Sequence, residues 1–140
     1  MQGFNSLLML FGRIGLSAIF LLAGIHKLLN FEFYQKSLTE RGFQYIPILI
    51  VVAALVEILG AISLLLGWKT RWGAMLLLLF MIPTTVIFHN FWDYAEPALR
   101  DLQMNMFFKN IAILGGLLYV LSFSAGGISI DRFLKNKEPS

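Results

Sequence analysis

Arg13, His26, Lys27, Glu57, His89, Asn90, Lys109 and Asn110 are the side chains of this sequence best equipped to bind or transfer something. Imidazoles and amides donate to and accept from carbonyl oxygens, ammonium and guanidinium groups supply positive charge, and a carboxylate balances that charge or holds a proton. Each of these residues lies within or at the end of a long apolar run. Ionisable groups in hydrocarbon are expensive and usually face the interior of a helix bundle. Two histidines at similar depth could ligate one haem through neutral imidazole, but a pair with nothing else around it is a weak haem signal. Cysteine is absent, which removes thiolate metal sites, Fe–S clusters, disulfides and dithiol relays together. No motif marks a nucleophile, a dinucleotide site or a complete metal site.

The elements that must position these residues are long apolar helices. Residues 7–29, 46–67, 72–90 and 104–124 form four such runs, each near the roughly 17–25 residues a helix needs to cross the hydrocarbon. With 58% hydrophobic and 14% charged residues, the chain has too few polar side chains to cover a globule in water, where about a quarter would be charged. The sequence therefore predicts an all-α, integral membrane four-helix bundle. It forms a single transmembrane domain over residues 1–140 with a short polar tail at 125–140. A signal peptide is a poor reading of the first run, because nothing basic precedes Gly12 and three more runs follow. The net charge of +3 is scattered singly, without the basic face with interleaved aromatics that nucleic acid requires, so the expected surroundings are a lipid bilayer. Trp68 and Trp72 at one end, and Tyr34, Tyr45, Trp92 and Tyr94 at the other, fit aromatic belts. The end bearing both termini and the Trp68–Arg71 turn carries Lys69, Arg71, Arg132, Lys135 and Lys137. Opposite it, Lys36, Arg41 and Arg100 are diluted by Glu32, Glu40, Asp93, Glu96 and Asp101. The positive-inside rule then puts both termini in the cytoplasm.

Depth supplies the main functional clue. At about 1.5 Å rise per residue, Arg13 lies a turn or two into the first helix and Glu57 near the middle of the second. His26 and Lys27 end the first helix on the far side, His89 and Asn90 end the third there, and Lys109 and Asn110 open the fourth. Three helices thus bring polar groups to one level, the outer third of the membrane, and those six residues are the expected ligand-binding site. Ala53, Glu57, Gly60 and Ala61 share a face, as do Asn105, Lys109, Ala112, Gly116 and Tyr119. Such small-residue stripes admit close helix approach and aim Glu57 at a neighbouring helix. Its expected partner is Arg13 from below or Lys109 from above, each about one turn away in height, making an internal ion pair. Plainer readings stand beside these. The pair can be purely structural, the lysines can snorkel to headgroups, and the histidines can be interfacial residues with satisfied hydrogen bonds.

Arg13 followed by Phe20-Leu21-Leu22-Ala23-Gly24-Ile25-His26-Lys27 resembles the opening motif of the DoxX family of small bacterial membrane proteins. Glu57-Ile58-Leu59-Gly60-Ala61 with Leu65-Leu66-Gly67 resembles its second block. Arg71, Thr85, His89, Lys109-Asn110 and Gly115-Gly116 resemble the rest, and Gly127-Ile128-Ser129-Ile130-Asp131 is similar to its ending. The likeness runs from Arg13 to Asp131. It implies a multi-pass protein of the bacterial inner (plasma) membrane. Members are associated with thiosulfate:quinone oxidoreductase and with membrane-bound oxidative-stress complexes, and animal relatives with receptor assembly. The resemblance and the polar level together lead to the expectation of a redox-type membrane subunit binding a quinone at the outer ends of the first, third and fourth helices. Arg13 and Glu57 would complete an internal polar chain. The rival class is a non-enzymatic scaffold or assembly factor, in which the same charges hold the bundle and a protein partner or a second copy. A small-solute transporter stands third.

Overall fold

A computed structural model describes residues 2–137. Hydrocarbon offers no partner for backbone N–H and C=O groups, so apolar runs of this length satisfy themselves as helix. The chain forms α1 (Gln2–Leu29), α2 (Phe31–Glu40), α3 (Ile46–Leu66), α4 (Thr70–Phe88), a single 3-10 turn (Phe91–Asp93), α5 (Pro97–Phe123) and α6 (Ile130–Lys135). Among the described residues no strand is present, and four helices, α1, α3, α4 and α5, are long and apolar enough to span a membrane. The fold is an all-α membrane bundle.

The spans run alternately up and down. α1 packs broadly on α3, α3 on α4 and α4 on α5, while α5 returns to α1 only along a narrow seam where Leu16 meets Gly116. Phe20, Ala61, Leu64, Ala74, Leu77, Met81, Leu117 and Val120 form the core at their junction. Small residues set the spacing: a Cβ on Gly60 would lie 2.5 Å from Leu77, and one on Gly24 2.7 Å from Ile58. Without a hydrophobic drive between helices in lipid, such close packing is a main source of association. The outer surface carries large apolar side chains such as Leu22, Leu59, Leu79 and Phe108, as a lipid-facing wall does.

The elements extend beyond the expected runs. α1 begins at Gln2 rather than residue 7, and α5 at Pro97 rather than residue 104. The fixed φ of proline and its missing donor suit a first helical position, so helix propagates through Arg100, Asp101 and Gln103 before entering the apolar run. The stretch 30–45 holds α2, whose backbone ladder continues across a kink at Asn30 through Asn30 N–H to His26 O and Tyr34 N–H to Asn30 O. The tail contains α6, and its last three residues, 138–140, lie outside the described part.

Candidate functional site

Polar groups inside the bundle collect at its two ends. At the end opposite the termini, Lys27 Nζ donates to both Oε1 and Oε2 of Glu57 at 2.8 Å. The side chains retain 17% and 7% exposure respectively. Lys27 reaches Glu57 because α1 and α3 lie antiparallel in close contact, and Gly24, one turn before Lys27, lets the backbones approach beside Glu57 Cβ. The kink at Asn30 then brings α2 over the pair. Tyr34 places its ring 5.4 Å from Lys27 Nζ and its hydroxyl 3.1 Å from His26 Nδ1. Leu38 anchors α2 by burial. Burial, with the Glu57 carboxylate nearby as a second cause, pushes the Tyr34 phenol above its ordinary value, so it stays protonated. The arrangement offers an ammonium, a protonated phenol and an imidazole within a few ångströms of one another at the mouth of the bundle. That set can donate to carbonyl oxygens or hold a proton against Glu57.

On α4 and α5 the same end is built differently. Pro83 lies inside α4, and the Thr84 and Thr85 hydroxyls bond back to the carbonyls of Phe80 and Met81. Thr85 Oγ1 also accepts from Asn110 Nδ2 at 3.1 Å, and His89 Nδ1 lies 2.8 Å from Gln103 Oε1. Both contacts tie α4 to α5. Asn90 donates to Asp93 within the 3-10 turn, and its Oδ1 is buried without a protein partner. Phe91, Trp92, Phe107 and Phe108 stack edge to face around that turn.

The expected six-residue site is therefore divided. His26 and Lys27 belong with α2 and α3, whereas His89 and Asn110 join α4 to α5. Lys109 points outward, exposed, with Nζ 3.3 Å from Met106 Sδ. Among the described residues no hydrogen bond joins the two groups. The expected pairing of Glu57 with Arg13 or Lys109 is corrected. The partner is Lys27, because Arg13 is drawn to the opposite end and Lys109 faces away from the bundle.

Arg13 organises the terminus-bearing end. It is 1% exposed, with Nη1 donating to Leu64 O at 3.1 Å and Nη2 to Ile128 O at 2.5 Å. The first bond adds a second donor to the Leu64 carbonyl, which also accepts the Gly67 N–H at the end of α3. Gly67, at φ 66°, closes that helix in the left-handed region. A Cβ there would sit 2.1 Å from Arg13 Nη1 and 2.5 Å from Ser129 Cβ. Asp131 then receives the amides of Lys69 at 2.7 Å and Thr70 at 3.0 Å, plus the Thr70 hydroxyl at 2.9 Å, while its own amide donates to Gly67 O. Burial raises the Asp131 carboxyl, but the Thr70 and Lys69 donors and the charge of Arg13 outweigh it and hold it below the ordinary carboxylate range. Reading the sequence by depth missed this junction, because Gly67 and the last loop contribute backbone carbonyls rather than side chains. Tyr34 was legible only as an interfacial aromatic, although its spacing from His26 and Asn30 follows helical period.

Among the described residues no His, Asp, Glu or Cys cluster could hold a metal ion. Comparison with known proteins agrees with a multi-pass membrane protein. The chain is 31% identical to inner membrane protein YphA of Escherichia coli over 125 residues, 89% of either chain. It is 30% identical to inner membrane protein YqjF of the same organism over 128 residues, 91% of this chain and 92% of that one. A shorter match to ER-derived vesicles protein ERV29 of Saccharomyces cerevisiae is 34% identical over 74 residues, 53% of this chain and 24% of the yeast protein. No solved structure gives a significant match. Residues 8–90 match the DoxX family, and with two full-length relatives aligned across both ends of the bundle, the chain belongs to the DoxX family.

Proposed function

We propose that this protein is the membrane subunit of a quinone-linked redox complex, and that it binds the quinone headgroup at the mouth formed by α1, α2 and α3. The supporting observation is the Lys27–Glu57 pair, two charges kept at the edge of the bilayer core with Tyr34 and His26 arranged over them. Intramembrane charges mark ligand or proton paths by default. A quinone needs an apolar slot and one or two donors to its carbonyl oxygens. Here the Tyr34 hydroxyl, the His26 imidazole and the ammonium of Lys27 are the donors, and Glu57 balances the charge. Electrons would come from a protein partner. His89 and Asn110, bonded to Gln103 and Thr85, hold the α4–α5 side of the same end together and are not part of this mouth. By the likeness to YphA and YqjF and the excess of basic residues at the terminus-bearing end, the protein sits in a bacterial inner membrane with both termini in the cytoplasm.

The test is binding of a short-chain quinone analogue to the protein in lipid nanodiscs. Tyr34→Phe and His26→Ala each remove one hydrogen bond, worth roughly 0.5–1.5 kcal/mol net. Affinity should therefore fall by about two- to tenfold with the melting temperature unchanged. An analogue that does not bind the parent protein, or binds both variants equally well, overturns the quinone reading. Purification of a stable protein partner with no bound lipophile would then favour the scaffold.

A further inference from the structure

The terminus-bearing end has a charge pattern that the quinone reading does not use. Lys69 and Arg71 flank the turn into α4, and Arg132, Lys135 and Lys137 lie on and just after α6, all exposed. The one acidic side chain described at that end, Asp131, faces inward, its oxygens taken by the Lys69 and Thr70 donors. Among the described residues, the outward-facing charges at that end are all positive. Arg132 and Lys135 border a shallow groove of about 140 Å³ with Ser124, Ala125, Gly126, Ser129 and Asp131, the carboxylate of the last being engaged by the Lys69 and Thr70 donors. Apolar side chains stand beside the charges: Trp72 is 77% exposed and Phe133 58% exposed. Lys137 Nζ lies over the Phe133 ring at 4.5 Å and Lys69 Nζ over Trp68 at 5.4 Å. Cations seated over aromatic rings at a helix end are suited to the level where headgroup phosphates meet acyl chains. The opposite end carries Glu32, Glu40, Asp93, Glu96 and Asp101 among its bases.

We propose that the groove beside α6 is a binding site for the phosphate of an anionic phospholipid, held by Arg132 and Lys135, with Phe133 and Trp72 against its acyl chains. The occupant is a lipid rather than free phosphate because exposed apolar side chains, Phe133 next to Arg132 and Trp72 next to Arg71, accompany the charges. It is a lipid rather than a protein segment because the groove's loop starts directly after Phe123, at the end of a span whose Tyr119 and Phe123 stand exposed as a lipid-facing surface does. α6 is fixed to the α3–α4 turn through Asp131, so the two cations are presented at a set height.

The protein purified in mild detergent is mixed with dioleoyl-phosphatidylglycerol or dioleoyl-phosphatidylcholine, and retained lipid is read by native mass spectrometry. Phosphatidylglycerol should be retained in preference, and Arg132→Gln and Lys135→Gln should each lower its retention about fivefold, the worth of one basic residue at an anionic surface. Both residues are exposed, so melting temperatures without lipid should match the parent. Lys36→Gln, at the other end, should retain phosphatidylglycerol as the parent does. Equal retention of the two lipids overturns the proposal, as does an equal loss on Lys36→Gln. Displacement of the lipid by millimolar inorganic phosphate would make the groove a free-phosphate site and would equally overturn it.

Discussion

Glu57 takes two hydrogen bonds from one ammonium, so its removal strands Lys27 in an apolar surround. Breaking a buried pair costs about 3–5 kcal/mol in soluble proteins, and less in a membrane, where the unfolded reference also finds partners. Glu57→Ala should lower the melting temperature in a given detergent clearly, and Glu57→Gln, which still accepts one bond, should lower it less. The double variant Lys27→Met, Glu57→Leu should recover much of the loss, since apolar replacements of a buried pair are often neutral. A Glu57→Ala protein as stable as its parent would show that the pair contributes nothing. Asp131 responds to pH instead. Its folded-state pKa lies below its unfolded one, so its contribution is fully present above the ordinary aspartate value of about 3.9. It is lost as pH falls from there through the lower folded value. Amide exchange at Lys69 and Thr70 should therefore stay protected from neutrality down to about pH 4 and rise below it. In Asp131→Asn that pH response should be absent, and its survival would assign the change to another group.

At the scale of elements, turn chemistry decides more than hydrophobicity. Gly67 and Gly42 both have positive φ, 66° and 77°, yet a Cβ on Gly42 meets open space whereas one on Gly67 meets Arg13 and Ser129. Gly42→Ala should cost only the left-handed penalty of about 1–2 kcal/mol. Gly67→Ala should cost more and should also loosen α6, visible as faster proteolysis after Arg132 or Lys135. Equal melting temperatures for the two variants would refute a tight junction there. The four spans were legible because bilayer thickness imposes their length. α2 was not, because Phe31–Glu40 has nearly balanced polar and apolar content and its helix depends on the ladder carried over from α1. Depth along the helix axes puts Lys27 and Glu57 on adjacent helices, yet Glu57 pairs with Lys27 and not with Arg13 or Lys109. Height along a helix axis does not say which way a side chain turns, and Arg13 turns toward carbonyls, which a residue code cannot display.

For the whole molecule, an even number of spans puts both termini on one side, and the charge asymmetry chooses the side. Reporter fusions at residue 1 and after Ser140 should both report the cytoplasm. A fusion after Ser140 active only outside the cell would invert the assignment, and with it the leaflet facing the basic groove. The ring of helices is closed unevenly: α1 is bound broadly to α3, yet only narrowly to α5. If a lipophilic molecule enters from the bilayer, that seam is the side of the bundle with the least contact to break. Cross-linking engineered cysteines at positions 16 and 116, where Leu16 and Gly116 touch, should slow analogue uptake without displacing the Lys27–Glu57 pair.

Arg13 has a further consequence, for biogenesis. It leaves the ribosome early, and its second acceptor, the carbonyl of Ile128, lies 115 positions later. The first span therefore enters the membrane with a guanidinium whose carbonyl acceptors are not yet made, at a cost below the roughly 2.5–3.5 kcal/mol of an arginine at a helix centre, since Arg13 lies near one end. Synthesis of α3 supplies the Leu64 carbonyl, and only the last loop supplies the other. Until the last loop arrives, that guanidinium lacks one of its two acceptors, so a copy truncated before Ile128 should melt at a lower temperature than the full chain.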